Sequence, residues 1–514
     1  MSSPPVLFSL AVDEAGLVQL AEIAAFQAVR GDCIALRGEL GAGKTTFARA
    51  FICAASGDAM LEVPSPTFAL RQDYACSRGP IAHFDLYRLA DAREVDEIGL
   101  EDALAAGVTI IEWPERAEDA LPRDRIELVL AETASPETRQ VTLSGLGAAR
   151  VRAQRIGEIF HFLEAEKDWR AARVAFLDGD ASTRSYARLT TAAGTAILMD
   201  APRRPDGPIV RDGLPYSQIA HLAEDVRPFV AISNHLVRHG FAATRVLARD
   251  LVRGLLIVED FGDRAFGVEL KQGAPQAPIW AAAVDCLAAL RCVPVDAALP
   301  VGDGTTYSLP RFDRRALEIE VELLLDWFWP HAKGGTAPEA VRAEFQALWA
   351  HEFDVMLAEP PGLFLRDYHS PNLFWMLERA GVQRVGLIDF QDALAEPWAY
   401  DLVSVLQDAR VDVPAGLEAA ELARYCAAVA QEEPDFNAGQ FRATYARFGV
   451  QRNTRLIGLW VRLLKRDGKP GYMQHMSRTW DYLSRNLEHL ELAALRRFYD
   501  QHFPLDVRNR PISG

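Results

Sequence analysis

The sequence predicts an α/β chain of two unlike domains in tandem, and three observations carry that prediction. At 514 residues the chain exceeds what one ordinary core accommodates. Residues 1–147 alternate strand-like apolar runs with helical stretches around a glycine loop, G-E-L-G-A-G-K-T. From about residue 277 long amphipathic helices dominate, interrupted by R-D-Y-H-S-P-N at 366–372 and by the strand-like run R-V-G-L-I-D-F.

Hydrophobic residues at 49% and charged residues at 25% exclude a disordered or membrane class. No apolar run approaches about 18 residues, and the start M-S-S-P-P-V lacks a basic-then-apolar signal pattern, so a cytoplasmic protein with no membrane contact is expected. The six cysteines form no C-x-x-C pair and read as free thiols. The net charge of −16 is uneven: residues 1–150 hold 23 acidic against 13 basic residues. Nucleic-acid binding needs a basic footprint to neutralise phosphates. The first domain is therefore expected to work through protein partners.

Taken in order, D-C-I-A-L-R is a strand leading into the glycine loop, and K-T-T-F-A-R-A-F-I-C-A-A-S is a helix closed by Gly57. I-A-H-F-D-L-Y, V-T-I-I-E-W, I-E-L-V-L and Q-V-T-L are further strands, and S-G-L-G-A-A marks a seam. The loop fits G-x-x-x-x-G-K-[ST] in full. Its glycines let backbone N–H groups turn inward to phosphate oxygens, Lys44 reaches the β/γ-phosphates, and the Thr45 hydroxyl ligates Mg²⁺. The candidate nucleotide-binding residues are Gly38, Glu39, Gly41, Ala42, Gly43, Lys44, Thr45 and Thr46. A supporting carboxylate is needed for the cation. Glu112, ending V-T-I-I-E, and Asp85, ending I-A-H-F-D, are the candidates, and Thr67 in S-P-T-F is a possible second hydroxyl near the γ-phosphate.

G-E-L-G-A-G-K-T-T-F-A-R, V-P-S-P-T-F-A-L, H-F-D-L-Y-R-L and T-I-I-E-W-P-E-R occur in that order over residues 6–147. Together they resemble the TsaE family, the ATPase subunit of the bacterial machinery for threonylcarbamoyladenosine in tRNA. The resemblance implies an ATP-hydrolysing module acting on subunits of the threonylcarbamoyl transferase complex and touching tRNA only indirectly. It assigns Lys44 and Thr45 to nucleotide and Mg²⁺, Glu112 to Mg²⁺, and Asp85, as a catalytic residue, with Thr67 to the supporting site.

In the second half, the apolar G-L-F-L should be a strand that presents Asp367 to a substrate hydroxyl, whose proton it accepts or orients. Asn372, five residues on, offers a carbonyl oxygen to Mg²⁺. Asp389, seventeen residues further at the end of V-G-L-I-D, chelates the same metal. D-x₄-N followed by a strand-end aspartate is the catalytic arrangement of the protein-kinase-like fold. Upstream, D-G-D-A-S-T-R-S-Y-A-R-L resembles the phosphate-covering hairpin of small-molecule kinases, with Gly179, Ser182 and Arg184 near the phosphates. The strand T-A-I-L-M-D-A-P has Met199 and Asp200 where a lysine is usual, which leaves Arg203 or Arg204 as substitute cations. L-L-I-V-E-D-F-G resembles the adenine hinge, at Glu259 and Asp260.

M-D-A-P, V-E-D-F-G-D, R-D-Y-H-S-P-N-L, G-L-I-D-F-Q-D-A and Y-D-L-V-S-V-L-Q-D-A-R, spread over about 155–500, resemble the AmgK-like anomeric amino-sugar kinases of the aminoglycoside phosphotransferase superfamily. The resemblance implies ATP-dependent phosphorylation of N-acetylmuramate or N-acetylglucosamine in cell-wall sugar recycling, with Asp401 as a buried anchor for the catalytic loop. Two alternatives stay open: a non-catalytic docking module, motivated by the missing lysine, and another alcohol acceptor such as an aminoglycoside. An acidic acceptor pocket would suit a cationic aminoglycoside, and a neutral or basic one N-acetylmuramate. The expected organisation is a P-loop NTPase-type domain at 1–148, a linker or entry helix at 149–168, and a bilobal protein-kinase-like domain with its N-lobe at 169–265 and helical C-lobe at 266–514. ATP and Mg²⁺ are the cofactors. Trp327, Trp329 and Trp349 read as core or sugar-side packing.

Overall fold

The apolar runs of the first 147 residues form one sheet whose central strands, Cys33–Arg37, Ile81–Asp85 and Val108–Glu112, are buried along almost their whole length. The computed structural model describes residues 6–508 apart from 90, 92–93, 178–183, 204–205, 297, 359–360 and 397. Its contacts divide the chain into two units, Met1–Pro202 with Leu247–Asp260, and Arg203–Val246 with Phe261–Gly514.

The first unit begins with β1 (Val6–Val12), α1 (Glu14–Gln27), β2 (Cys33–Arg37), α2 (Lys44–Ser56), β3 (Arg71–Tyr74) and β4 (Ile81–Asp85). It continues through α3 (Glu94–Glu97), α4 (Leu100–Ala106), β5 (Val108–Glu112), β6 (Arg125–Glu132) and β7 (Arg139–Leu146). The seven strands lie in the order β1-β7-β6-β2-β5-β4-β3, with β6, β2, β5 and β4 parallel and the outer strands antiparallel. Parallel strands covered on both sides carry continuous apolar runs rather than alternation. That is why I-A-L and V-T-I-I are legible as strands. Asp13 caps α1, its carboxylate accepting from Gly16 N at 2.8 Å.

Helix α5 (Arg150–Ala165) follows the seam, and it is more than a linker. It buries Ala153, Ile156, Ile159, Phe160 and Leu163 in the same core as α1, with Phe160 stacked on Phe8 at 5.8 Å. Next come β8 (Arg173–Leu177), β9 (Ser185–Thr191) and β10 (Gly194–Asp200), in an antiparallel sheet completed by Leu255–Glu259 and Val246–Asp250. One face of this second sheet, Val174, Ala187, Leu189, Ala196, Leu198, Leu255 and Ile257, is buried in the core that holds Leu20, Ile23, Ile156 and Phe160. The contact-defined unit therefore runs across the boundary expected near 148 and takes in this sheet.

Several polar groups at that core are hydrogen-bonded across it. The buried Glu22 carboxylate accepts from Val174 N at 2.6 Å and from Arg173. Burial pushes Glu22 above the usual carboxylate range, against the pull of those two donors. Gln19 Nε2 donates to Ala172 O at 2.9 Å. Asp200 accepts from Gln27 Nε2 at 2.6 Å and from Arg155 Nε at 3.0 Å.

Those bonds explain half of the missing lysine. Asp200 shares its face with Ala196 and Leu198 and is committed to α1 and α5. The opposite face carries Met199 and Ile197, and Ile197 is paired across β9 with Arg188, whose guanidinium meets Asp260 at 2.7 Å. Arg203 faces Glu224 at 3.6 Å, and Arg204 lies outside the described residues.

The second unit is largely helical. The stretch 169–265 expected as the N-lobe includes the helix Arg227–Arg238, which falls in this unit. The helices Gln276–Leu290, Arg314–Leu323, Glu339–Met356, Ala399–Leu406 and Ala415–Glu432 precede the 30-residue helix Ala438–Asp467, which is buried along most of its length. Gly458 of that helix lets it touch the backbone of Leu323; a Cβ there would fall 2.2 Å from the Leu323 carbonyl carbon. Short strands Gly362–Phe364 and Leu394–Glu396 pair antiparallel, and Leu373–Trp375 pairs with Val385–Leu387. All six cysteines are free thiols; Cys33, Cys286 and Cys426 are buried and Cys292 is exposed. Trp329 and Trp349 are core residues.

A shared core predicts shared unfolding. Leu198→Ala should destabilise the first unit by about 2–5 kcal/mol, and hydrogen exchange should accelerate in α1 as well as in β8–β10. Protection of α1 that stays at its wild-type level while the strands open would separate the two.

Candidate active sites

The first site is built at the carboxyl ends of β2, β4 and β5. Gly38 has φ +143°, and a Cβ on it would lie 2.3 Å from Leu130 O, so the loop closes only with glycine here. Gly43 caps α2 in the left-handed region at φ 107°, and α2 starts at Lys44. The amides of the loop and the helix N-terminus together form a positive end suited to phosphate. The Lys44 ammonium bonds Gly38 O at 2.7 Å and Glu39 O at 2.9 Å and stands 3.7 Å from the centre of the Trp113 ring. Burial lowers its pKa, opposed by the charges of Glu112, Glu115 and Asp85.

Asp85 and Glu112 end neighbouring parallel strands and pair in register. Glu112 accepts from Thr45 Oγ1 at 3.0 Å and meets His83 Nε2 at 2.9 Å. Asp85 accepts from Ser65 Oγ, from Thr67 Oγ1 at 2.8 Å and from Tyr87 N at 3.0 Å. A cavity of about 350 Å³ is lined by Lys44, Thr45, Thr67, Asp85 and Glu112, among others.

The second site lies wholly in the second unit. The strand Gly362–Phe364 delivers a loop in which Asp401, buried, accepts from Leu365 N at 2.5 Å and Arg366 N at 2.9 Å. Burial outweighs those two bonds and pushes Asp401 up to about 7. The Arg366 guanidinium is buried and bonds Glu320 at 2.6 Å and Ala220 O at 2.7 Å. Asn372 Nδ2 donates to Asp367 O at 3.0 Å and lies 3.5 Å from Asp389 Oδ2, so positions 367, 372 and 389 converge. Gln391 Nε2 holds the other Asp389 oxygen at 3.0 Å. The strand ends at Leu387, two residues before Asp389, and Asp389 stands in the left-handed region at φ 58° rather than at a strand end. Arg366 is likewise left-handed at φ 72°.

The Asp367 side chain remains 31% exposed while protein surrounds its other sides. Loss of water raises its pKa above the usual carboxylate value, and Asp392 adds to this, while Arg455, Arg366 and Arg410 pull it down. Burial, with the charges of Arg410 and Arg452, keeps His369 well below its ordinary pKa and therefore neutral.

Comparison with known proteins gives two families, with the second beginning inside the first contact-defined unit. Residues 12–141 match the family model "Threonylcarbamoyl adenosine biosynthesis protein TsaE", and residues 173–437 match "Phosphotransferase enzyme family". The N-acetylmuramate/N-acetylglucosamine kinase of Caulobacter vibrioides is 37% identical over 341 residues, 65% of this chain and 92% of that protein. The corresponding kinase of Pseudomonas putida is 30% identical over 318 residues, 61% of this chain and 83% of that protein. The TsaE protein of Bacillus subtilis is 35% identical over 130 residues, 25% of this chain and 78% of that protein.

The chain belongs to both families.

Within the TsaE-family domain, the loop residues, Thr45, Thr67, Asp85 and Glu112 are gathered around one cavity. Sequence reasoning passed over Ser65, His83 and Trp113, although each lies inside a motif already singled out, V-P-S-P-T-F, I-A-H-F-D and T-I-I-E-W. Their signal was adjacency: a side chain beside a strand-end acid is within reach of it. Within the phosphotransferase domain, Asp367, Asn372, Asp389 and Asp401 come together, whereas Gly179 and Ser182 lie outside the described residues. Arg184 and Glu259 border the second sheet of the first unit. Arg452 and Arg455, 80 and 83 residues past Asn372, had no sequence signal.

The elevated Asp401 has a stability consequence. A folded-state pKa of about 7 against an ordinary 3.8 means that the folded chain keeps a proton the unfolded chain releases, so this contribution to stability falls as pH rises from about 4 to about 7. The stability of wild type relative to Asp401→Asn, which cannot titrate, should decline between pH 4.5 and 7.5 in urea unfolding. A constant difference would place the Asp401 proton elsewhere.

Proposed function

We propose that the chain is a bifunctional cytoplasmic enzyme. Its first domain is the ATPase of threonylcarbamoyladenosine formation, and its second phosphorylates the anomeric hydroxyl of N-acetylmuramate or N-acetylglucosamine with ATP. The observation that supports the reading is the presence of two separate constellations, the P-loop with Asp85 and Glu112 in the first contact-defined unit and Asp367, Asn372 and Asp389 in the second.

In the first, the amides of Gly41 to Thr46 take the β- and γ-phosphates, Lys44 exchanges its bonds to Gly38 O and Glu39 O for phosphate oxygens, and Asp85 with Ser65 and Thr67 orders the attacking water. In the second, Asp367 accepts the proton of the sugar hydroxyl as its oxygen bonds the γ-phosphorus and the bond to the β–γ bridging oxygen breaks. ADP and the sugar phosphate are the products. Asp401 and Glu320 keep the loop that carries Asp367 in place through Leu365, Arg366 and the Arg366 guanidinium.

Mg²⁺ suits the oxygen donors of both sites: Thr45 and Glu112 in one, Asn372 and Asp389 in the other. The Asn372 amide nitrogen is taken by Asp367 O, which leaves its carbonyl oxygen for a cation. When bound, the cation neutralises charge on the β- and γ-phosphates. The acidic first 150 residues favour engagement of threonylcarbamoyl transferase subunits, with tRNA reached through them. Among the described residues no helix is long and apolar enough to cross a membrane.

Asp367→Asn should lower phosphosugar formation about 10²–10⁴-fold, followed by mass spectrometry with ATP and each sugar, while ATP hydrolysis by the first domain with its partner subunits persists. Lys44→Ala should do the reverse. Loss of both activities in either folded variant would overturn separate sites. No phosphosugar from wild type under any condition would favour a docking module, and phosphorylation of an aminoglycoside alone would change the acceptor.

A further inference from the structure

The helix Ala438–Asp467 is buried without interruption from Ala443 to Leu463 except at three positions, Arg455, Leu459 and Arg462. Spacings of four and three place these on one face. The helix therefore opens along a single strip, and two of its three residues are cations. Arg452, one turn before Arg455, is buried and donates to Gln407 O at 3.3 Å, so its place in the core is occupied.

Arg455 is linked to the loop that carries Asp367 through Glu320, which also bonds the guanidinium of Arg366. Arg455 and Arg452 both act electrostatically on Asp367. Arg455 donates from Nη1 to Tyr400 Oη at 2.8 Å, and its side chain is 15% exposed. Its Nε is buried without a hydrogen-bond acceptor among the described residues, 3.5 Å from Glu320 Oε1 and out of bonding geometry. Glu320 is already engaged by Arg366 at 2.6 Å and Gln451 at 3.0 Å. One buried carboxylate thus pairs with two arginines. Arg462 lies 4.5 Å from the centre of the Tyr216 ring, which holds its guanidinium along the same strip.

Two guanidinium groups that share one buried carboxylate leave a net positive charge that a further anion would balance. Arginine's planar fork suits a carboxylate in two parallel bonds. A cationic acceptor, by contrast, would be repelled by this strip.

We infer that Arg455 and Arg462 form a subsite for an anionic substituent of the sugar acceptor, a carboxylate, so that the kinase domain discriminates in favour of the acid sugar N-acetylmuramate over neutral N-acetylglucosamine. The inference rests on the sugar-kinase reading above and adds to it the residues that set specificity. These are specificity residues; the proton is handled by Asp367. Arg455 also steadies the catalytic centre through Glu320 and Tyr400, so the test must cancel losses common to both sugars.

The measurement is the ratio of kcat/KM for N-acetylmuramate to that for N-acetylglucosamine, on the full-length chain with ATP. Arg455→Gln should lower this ratio at least about tenfold, the loss expected of a hydrogen bond to a charged group. Arg462→Gln should lower it in the same direction, and Arg455→Lys, which keeps the charge, should restore part of it. Arg462 is on the open strip, so its variant carries the test if Arg455→Gln does not fold. Ratios within threefold of wild type in both glutamine variants, with the two sugars declining together, would make the arginines structural and overturn the subsite. A wild-type enzyme that phosphorylates neither sugar would overturn the sugar-kinase reading itself, and the subsite with it.

Discussion

A single apolar core runs from the P-loop domain into the five-stranded sheet that follows it, and the arrangement of the first unit depends on that core. Leu20 and Ile23 of α1, Ile156 and Phe160 of α5, and Val174, Leu189, Leu198 and Ile257 of the second sheet are all buried in it. Each such side chain contributes about 1.5–3 kcal/mol on removal from water. Baring either surface would expose all of them. The two families are therefore joined by packing as well as by peptide bonds, and α5, which reads as a connector, is one of the layers between them. Matched polar groups fix how the layers meet. Glu22 accepts from the Val174 amide, Gln19 donates to the Ala172 carbonyl, and Asp200 accepts from the side chains of Gln27 and Arg155. Buried polar groups tolerate few alternatives, so these bonds set register where apolar contact alone would allow sliding.

The two candidate sites are built by different physics. The P-loop uses contiguous main chain: glycine conformations, a helix N-terminus and one lysine, all within Gly38–Thr46. The second site uses side chains from separate loops, and holds them through buried charge. Asp401 fixes two amides, Glu320 fixes Arg366, and Arg366 and Asp389 occupy left-handed backbone conformations that cost about 1–3 kcal/mol each. Strain of that kind persists only where the surroundings over-determine it. Here the surroundings are the helices Arg314–Leu323, Ala399–Leu406 and Ala438–Asp467, which bring Glu320, Asp401 and Arg455 to one place.

Much of this was legible because short-range chemistry leaves short-range patterns. The glycine loop, the strands ending at Asp85 and Glu112, and the D-x₄-N spacing each require particular residues at fixed offsets, and each could be read directly. His83 and Ser65 were passed over because their offsets are common in any strand or turn; only the partner, Glu112 or Asp85, gives them meaning. That Asp200 turns to Gln27 and Arg155 was not legible, since the alternation of a strand says which residues share a face but not which face meets what.

The sequence by itself determined the two phosphate-gripping loops and the families they belong to, because those depend on residue type at close spacing. Tertiary structure alone decided that α1 and α5 cover the second sheet, that Asp200 turns to Gln27 and Arg155, and that a helix some ninety residues past Asp367 brings arginines beside it. Burial and long-range electrostatics act between residues that only folding makes neighbours, and no local pattern records them.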